Sequence, residues 1–272
     1  MRIYINITEE PLYINRFIED IIQSNSDEIV GINIVSGSFL EGNSFKRKIE
    51  YVATIALISG PIKLLKRICI MGSFFIFDGI KILRPKNPLS ISKAANKYNI
   101  PITYIDDVNS IPFLGRLKKL NIDLIINQAN LILKKEFLDV PKIGCINRHS
   151  ALLPKYRGQL APFWAYLNKE TETGVSIHFV EEQIDSGDII VQKRVPIMKF
   201  DTFDSLLDKI FLVTPHAMRE ALDIIRTGNF EEKLIENNDN SSSYYSIPRF
   251  KDAVRFRTVM IKNWLSGSAN PR

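Results

Sequence analysis

The sequence predicts an α/β fold, a Rossmann-like, mostly parallel sheet flanked by helices, with a small C-terminal appendage. Short apolar runs alternate with helical patterns through the first half of the chain, and this rhythm is typical of parallel sheets. The 272 residues, 45 % hydrophobic and 24 % charged, have the composition of one large globular domain. The first strand–helix turn has no glycine, so the dinucleotide-binding fingerprint is absent. We therefore expect the chemistry at the carboxyl end of a middle strand.

The elements follow from periodicity, in chain order. Isoleucines and a phenylalanine at helical spacing predict the first helix, and Ser90 or Ser92 is expected to begin the next one. The strands are predicted at 2–7, 28–35, 102–105, 123–126 and 143–147, the helices at 10–24, 90–98, 109–120 and 134–138, and a strand–turn–strand unit at 174–192. Beyond residue 200, a long helix is predicted over 202–226, starting at Asp201 or Thr202, and Pro215 could break it.

Three parts of the chain follow from this reading: a catalytic domain at 1–200, a C-terminal helix at 201–235, and a polar linker with a short basic, aromatic piece at 236–272. The whole chain carries a formal charge of +6. Residues 248–272 hold six basic and one acidic side chain, so +5 of that charge lies in the C-terminal piece.

Two apolar runs, 51–60 and 68–77, are each too short to cross a bilayer. They predict two amphipathic or buried helices over the core, with a membrane-surface contact or a homodimer interface as alternatives. Cys69 and Cys145 are predicted to be small buried residues. Two cysteines and three histidines make a disulfide framework or a Cys/His metal site improbable, so no metal is expected. The acidic start differs from a signal peptide, which suggests a cytoplasmic protein.

Asn147 and His149 follow the strand at 143–147 and lie two residues apart. In extended backbone such residues point the same way, so both can face one pocket. An amide can donate to an oxyanion, and a histidine can move protons near neutral pH. The acidic turn around Asp185 could orient the histidine, although a solvated hairpin turn is the simpler interpretation.

These residues carry a resemblance to a known family. Asn147-x-His149, then LLPKYRG at 152–158, Trp164, and TETGVSIHFVEEQIDSGDIIVQ at 171–192 are similar to the core of the folate-dependent formyltransferases. That family includes enzymes that formylate glycinamide ribonucleotide, methionyl-tRNA or amino sugars. The resemblance implies transfer of a formyl group from 10-formyltetrahydrofolate, as formyl donor, to an amine without a metal.

The resemblance also implies the site. Asn147, His149 and Asp185 match the family's catalytic residues, with Asn147 and His149 stabilising the oxyanion and Asp185 holding His149 and helping to pass the amine's proton on. The pterin is expected between two segments, and their candidate binding residues are Gln128, Ala129, Asn130, Leu131, Ile132, Val180, Glu181 and Glu182.

Some residues depart from the family pattern or have no role in it. Arg148 is bulky where a small residue is expected, and it either points away from the pocket or reaches an anionic substrate. Arg157 and Trp164 are further substrate-binding candidates, with bracing of the 152–158 loop as the alternative for Arg157. Pro162 lies one residue later than expected. His178 has no motif role and is expected to pack or pair on its strand.

Three functions remain open. The first is a sugar N-formyltransferase that acts on a nucleotide-linked amino sugar in lipopolysaccharide O-antigen biosynthesis. The sequence of residues 171–192 and the short stretch after residue 226 favour it. A methionyl-tRNA formyltransferase is the second. Enzymes of that class carry an RNA-binding C-terminal domain of roughly a hundred residues, and the stretch after residue 226 is too short for it, so nucleic acid is not the expected partner. The third is a catalytically idle binding protein on the same fold. A glycinamide ribonucleotide enzyme is expected to be shorter.

Overall fold

The structure is a computed structural model that describes residues 1–35, 45–59, 61–80 and 89–266. Within these residues the strands are β1 (Ile3–Thr8), β2 (Ile29–Val35), β3 (Ile102–Thr103), β4 (Leu124–Gln128), β5 (Gly144–His149), β6 (Arg157–Gly158), β7 (Glu172–Phe179), β8 (Ile189–Pro196) and β9 (Tyr244–Tyr245). The helices are α1 (Ile14–Asn25), α2 (Phe45–Ser59), α3 (Pro61–Gly79), α4 (Ile91–Lys97), α5 (Ile111–Lys119), α6 (Lys135–Leu138), α7 (Ala161–Leu167), α8 (Phe203–Arg226) and α9 (Phe250–Leu265).

The main sheet has the strand order β3-β2-β1-β4-β5-β7-β8 over the described ranges. Its first five strands are parallel, β7 is antiparallel to β5, and β8 is antiparallel to β7. The predicted α/β class with a mostly parallel sheet is therefore confirmed. Strand order reverses between β1 and β4, so the carboxyl ends of the central strands open at a topological switch point, the usual ligand position in such sheets.

Helices cover both faces of the sheet. Along β1, Ile3, Ile5 and Ile7 pack with the buried residues of α1, α4 and α8. Tyr4 points to the opposite face and contacts Phe113 of α5 edge-on. This alternation follows from the two-residue period of a strand, and it makes a core on each side of the sheet.

The long helix α8 begins where the sequence predicts. The Thr202 hydroxyl accepts a hydrogen bond from the backbone nitrogen of Ser205 at 3.1 Å and caps the helix. Pro215 lies inside the helix, which continues to Arg226 without a break. Although proline removes one helical hydrogen bond, the buried residues on either side, such as Thr214 and Met218, hold both halves on the sheet. Ser90 likewise caps α4, as expected.

Four asparagines stand opposite one another near the carboxyl ends of neighbouring strands. They are Asn33, Asn6, Asn127 and Asn147, on β2, β1, β4 and β5. Asn33 donates to Asn6 at 3.0 Å, and Asn6 donates to Asn127 at 2.8 Å. The first three are buried, so this asparagine ladder replaces hydration with mutual hydrogen bonds. A shift in strand register would separate these groups, and the ladder therefore helps to set the register beside the site.

Helices α2, α3 and α9 are together called the helical cluster, of which α2 and α9 share a core with α7 and α8. The two helices predicted around the apolar runs are present as α2 and α3. Helix α9 lies along α2, where the Arg257 guanidinium donates to the Leu57 carbonyl. Helix α3 is held to α8 by an ion pair of 2.6 Å between Arg67 and Asp204. Over the described ranges, no helix is long and apolar enough to cross a bilayer.

The two cysteines differ in burial. Cys145 lies buried on β5, as predicted, whereas Cys69 is exposed on α3, and that prediction is wrong. The reason is the packing of the helix. Among the described side chains of α3 only Phe74 is buried, so an apolar stretch of sequence did not imply a covered one.

Candidate active site

The site lies on one face of the sheet at the end of β5. Asn147 and His149 lie on the same face because they are two residues apart in a strand. The antiparallel register sets Asn147 opposite His178 of β7 and His149 opposite Ser176. Both histidines are buried, with exposed fractions of 7 % for His149 and 1 % for His178. The second histidine is thus part of the site, a placement that only the β5–β7 pairing reveals.

The Asp185 carboxylate lies between the two imidazoles. One oxygen is 3.4 Å from His149 Nδ1, and the other is 3.6 Å from His178 Nε2. The backbone N–H of Gly158 donates to the same carboxylate at 2.8 Å. Burial by itself raises the pKa of Asp185, but the two histidines, the Gly158 N–H and the Arg157 charge outweigh it and lower the pKa below 3.8. The group is therefore an anion near neutral pH.

His149 has an acceptor at each ring nitrogen. Nε2 lies 2.7 Å from the carbonyl oxygen of Tyr156, which can only accept, so this nitrogen carries a proton. Nδ1 faces the Asp185 carboxylate. The ring therefore lies between a carbonyl acceptor and a carboxylate.

His178 has the opposite character. Its Nδ1 donates to the carbonyl of Phe179 at 2.7 Å. Burial, reinforced by the neighbouring His149 and Arg157, lowers the pKa of His178 to about 4, although Asp185 acts against this. His178 is consequently neutral at pH 7. The expectation that His178 packs or pairs on its strand covers its contact with Phe179, but not the contact of its Nε2 with Asp185 in the neighbouring turn.

The turn that carries Asp185 is held from the far end of the chain. Asn237 is buried, and its amide donates to the Asp185 carbonyl at 2.8 Å and to the Gly187 carbonyl at 2.9 Å. Gly187 is required here because a Cβ would lie 2.2 Å from the Phe179 carbonyl oxygen. Asn237 falls in the segment predicted as a polar linker, and its polar sequence carries no signal of this role.

Arg157 is buried and connects β6 to Asn237. Its guanidinium donates at 3.1 Å to both the side-chain and the backbone oxygen of Asn237. The strand β6, which contains Arg157, pairs with β9. These contacts favour the bracing alternative for Arg157, and a direct substrate contact stays a prediction.

Gln128 links Asn147 to Arg148. It donates to the Asn147 amide oxygen at 2.6 Å and accepts from Arg148 Nε at 3.2 Å. Since the oxygen of Asn147 is occupied, its NH2 group is what the residue can offer to a ligand. The Arg148 guanidinium lies 4.5 Å over the ring of Phe211 on α8, away from His149, as strand alternation suggests. Burial lowers the pKa of Arg148 to about 10, against the charges of Glu10 and Asp185, and the group stays charged at pH 7.

The two segments expected to hold the pterin pack on one apolar cluster. Ala129 and, in part, Leu131 and Val180 contact the residues between the sheet and α5. Val180 is fixed to β5 by a hydrogen bond of 2.7 Å to the Cys145 carbonyl. Gln128 is buried, whereas Asn130, Ile132, Glu181 and Glu182 are exposed. Apolar and polar side chains thus lie on the same two segments, and their binding of a folate stays a prediction.

Trp164 lies in a stack of aromatic rings beside β6. Its ring stacks on Tyr245 at 4.9 Å, and Tyr245 stacks in turn on Tyr156 at 5.2 Å. The indole N–H donates to the Ser246 carbonyl at 3.0 Å. The stack joins the C-terminal residues to the loop that carries the Tyr156 carbonyl, the acceptor for His149.

Among the described residues, no three His, Cys, Asp or Glu side chains are grouped so that they could hold a metal ion. Residues 110–222 match the sequence model of the family described as "Formyl transferase". This segment contains the site from Gln128 to Asp185. The segment belongs to the formyl transferase family. The resemblance carried by the sequence motifs is therefore confirmed.

Known proteins of three kinds resemble this chain. A methionyl-tRNA formyltransferase of Clostridioides difficile is 35 % identical over 153 residues, 56 % of this chain and 49 % of that protein. The chain thus spans about half the length of this curated relative. A phosphoribosylglycinamide formyltransferase structure from Bacillus halodurans has a TM-score of 0.56, 20 % identity and coverage of 83 % and 95 % of the two chains. An N-formyltransferase from Helicobacter canadensis, in complex with folinic acid and dTDP-3-aminofucose, has a TM-score of 0.55, 19 % identity and coverage of 90 % and 71 %.

Proposed function

We propose that this protein transfers a formyl group from 10-formyltetrahydrofolate to the amine of a nucleotide-linked amino sugar. The observation that carries the formyl transfer is the Asp185 carboxylate between His149 and His178, next to Asn147, within a formyl transferase segment. The proposal includes the cytoplasm as the place of the reaction and O-antigen sugars as the acceptor class.

In this reaction the amine nitrogen attacks the formyl carbon, and the formyl oxygen takes up negative charge. Collapse of the tetrahedral intermediate breaks the bond to the folate N10 and yields the formamide, while a proton moves from the amine to N10. The Asn147 NH2 group, which stays available because Gln128 donates to the amide oxygen, donates to the oxyanion. The protonated His149 adds a positive charge beside it.

Asp185 acts mainly by holding His149. Its lowered pKa makes it a poor proton carrier and a good partner for an imidazolium. His149 reaches the reacting atoms when substrate replaces one of its two present contacts, the Tyr156 carbonyl being at 2.7 Å and the Asp185 carboxylate at 3.4 Å. Because Asp185 must keep its contact with Nδ1 in order to hold His149, we place the contact with the reacting atoms at Nε2.

The acceptor proposal is supported by the residues after α8. They fold back on the site through Asn237 and the pairing of β9 with β6, and they complete the aromatic stack with Trp164. Such a wall of rings offers a stacking surface to a nucleotide base. The Helicobacter canadensis structure, which contains an amino-sugar nucleotide, has the same fold.

The second candidate is formyl transfer to methionyl-tRNA. The 35 % identity to the Clostridioides difficile enzyme favours it, because identity is higher there than to the solved structures compared above. An idle binding protein is the third candidate.

Purified protein should be incubated with 10-formyltetrahydrofolate and, in separate reactions, with a panel of nucleotide-linked amino sugars and with charged initiator tRNA. Mass spectrometry then detects an N-formyl product, which we expect from at least one sugar. Product from the tRNA alone would replace the first candidate by the second. Binding of the folate without product from either acceptor class would favour the idle protein.

A further inference from the structure

The positive charge of the chain lies on the helical cluster. Helices α2, α3 and α9 contain ten basic and three acidic residues, a net charge of +7. The whole chain has +6, so everything outside these three helices sums to −1. The charge is thus a property of one group of helices, which includes the C-terminal basic piece and two helices from the first third of the chain.

The same helices expose large apolar side chains in regular stripes. On α9 the stripe consists of Phe250, Val254, Ile261 and Leu265, at helical spacing and each between 45 % and 69 % exposed. Exposed basic residues, Lys251, Arg255 and Lys262, each lie one position further along the helix. The apolar stripe is therefore bordered by a basic one.

Helices α2 and α3 repeat this arrangement. Their exposed apolar side chains are Phe45, Ile49 and Val52 on α2 and Ile62, Leu65, Ile68, Phe75 and Ile76 on α3. Exposed lysines, Lys46, Lys63 and Lys66, alternate with them. Apolar surface of this extent on a folded protein marks a contact with another body.

We propose that the helical cluster docks on the surface of an anionic lipid bilayer. Helices with an apolar stripe bordered by lysine and arginine lie in the plane of a membrane interface, where the stripe enters the acyl boundary and the bases contact lipid phosphates. The cluster has both parts, and the described helices cannot span the bilayer. The contact is peripheral.

Charge disfavours one main competitor, a second copy of the chain, and the apolar stripes disfavour the other, a nucleic acid. In a symmetric dimer through this face, a surface of +7 would meet its own copy, and like charges would oppose association. A nucleic acid would match the charge but leave the apolar stripes uncovered. An anionic bilayer matches the charge and also covers the apolar stripes.

Contacts join this surface to Arg148, which follows Asn147 on β5 but points away from His149. Lys63 and Arg67 of α3 pair with Asp208 and Asp204 of α8. Asp208 accepts a hydrogen bond from Tyr13 at 2.8 Å, and Tyr13 stacks on Phe211, over which the Arg148 guanidinium lies. These contacts link the docking helix α3 to β5, the strand that carries Asn147 and His149.

The test uses the full chain and vesicles. Flotation or sedimentation with vesicles of pure phosphatidylcholine is compared with vesicles containing about one third phosphatidylglycerol. We expect at least about tenfold more bound protein on the anionic vesicles, and loss of most of it at about 0.5 M salt. The fluorescence of Trp264, which is 70 % exposed on α9, should shift to the blue on binding, and Trp264→Phe should remove that shift.

Charge reversal supplies the matched comparison. The triple variant Lys251→Glu, Arg255→Glu, Lys262→Glu should reduce vesicle binding at least about tenfold, because each base near an anionic surface contributes about 1 kcal/mol. The control reverses three exposed lysines elsewhere, Lys93, Lys118 and Lys119, and should bind like the wild type.

Three outcomes overturn the proposal. One is equal or absent binding of the wild type to both kinds of vesicle. The second is a doubled molar mass in light scattering that the triple variant abolishes, without vesicle binding, which would assign the face to a second copy of the chain. The third is retention by RNA without vesicle binding. The first and third results come from the wild type alone, so a variant that failed to fold would leave the test intact.

Discussion

Apolar stretches of the sequence are buried in the central sheet but largely exposed in the helical cluster. In β4 all five residues are buried, including the polar Asn127 and Gln128. In α3, which has a similar share of apolar residues, Phe74 alone is buried among the described side chains. The difference arises because β4 lies between two strands and two layers of helices, whereas α3 contacts the domain through ion pairs to α8. Burial therefore reports the number of neighbouring elements more than the hydropathy of a segment.

The largest effect is expected from a substitution at Asp185, which disturbs the arrangement of charges in the candidate active site. Asp185→Asn keeps the shape of the side chain but removes the anion between His149 and His178. We expect formyl transfer to fall at least about 100-fold, because the imidazolium of His149 loses its partner. Steady-state rates measure this, and circular dichroism checks the fold. The control Asp139→Asn, an exposed residue after α6, should keep full activity.

Next in size is a change in the asparagine ladder. Asn6→Ala removes the acceptor for Asn33 and the donor for Asn127 inside the buried sheet. We expect the free energy of unfolding to fall by about 1–3 kcal/mol. Denaturant titration measures it, with the exposed Asn96→Ala of α4 as control. Equal stability of the two variants would show that the ladder is dispensable.

A smaller effect is expected from acid. His178 has a pKa of about 4 in the folded protein and about 6.5 when unfolded. Below pH 6.5 only the unfolded chain takes up this proton, so the stability present above pH 6.5 is lost as the pH falls towards 4. In His178→Asn, the loss of unfolding free energy between pH 6 and pH 5 should be about 1 kcal/mol smaller than in the wild type. The exposed His216→Asn should keep the wild-type slope, and a full slope in His178→Asn would contradict the burial argument.

The smallest effect is expected in thiol labelling, which compares the two regions without altering the fold. A thiol reagent should react quickly with the exposed Cys69 and slowly with Cys145, because burial also raises the pKa of the Cys145 thiol. One thiol per chain should thus be modified in the native protein, and none quickly in Cys69→Ser. Protection of Cys69 by anionic vesicles, but not by neutral ones, would sharpen the contrast between the regions.

Much of the site could be predicted because its chemistry is local in sequence. Asn147 and His149 share a face by strand alternation, and the turn at Asp185 contains the glycine that its close approach to Phe179 requires. His178 and Asn237 were missed as members of the site. One reaches Asp185 through strand pairing across β5 and β7, and the other lies fifty-two residues further along the chain.

The sequence by itself determined the strand–helix order, the two faces of the sheet and the motif residues, because period and spacing are properties of neighbouring residues. Only the tertiary structure decided which histidine faces Asp185, what holds its turn, and that Cys69 is exposed while Cys145 is not. These outcomes depend on which distant segments meet, and contact across the fold leaves no periodic trace in the chain. The +7 of the helical cluster likewise became one surface only when α9 packed along α2.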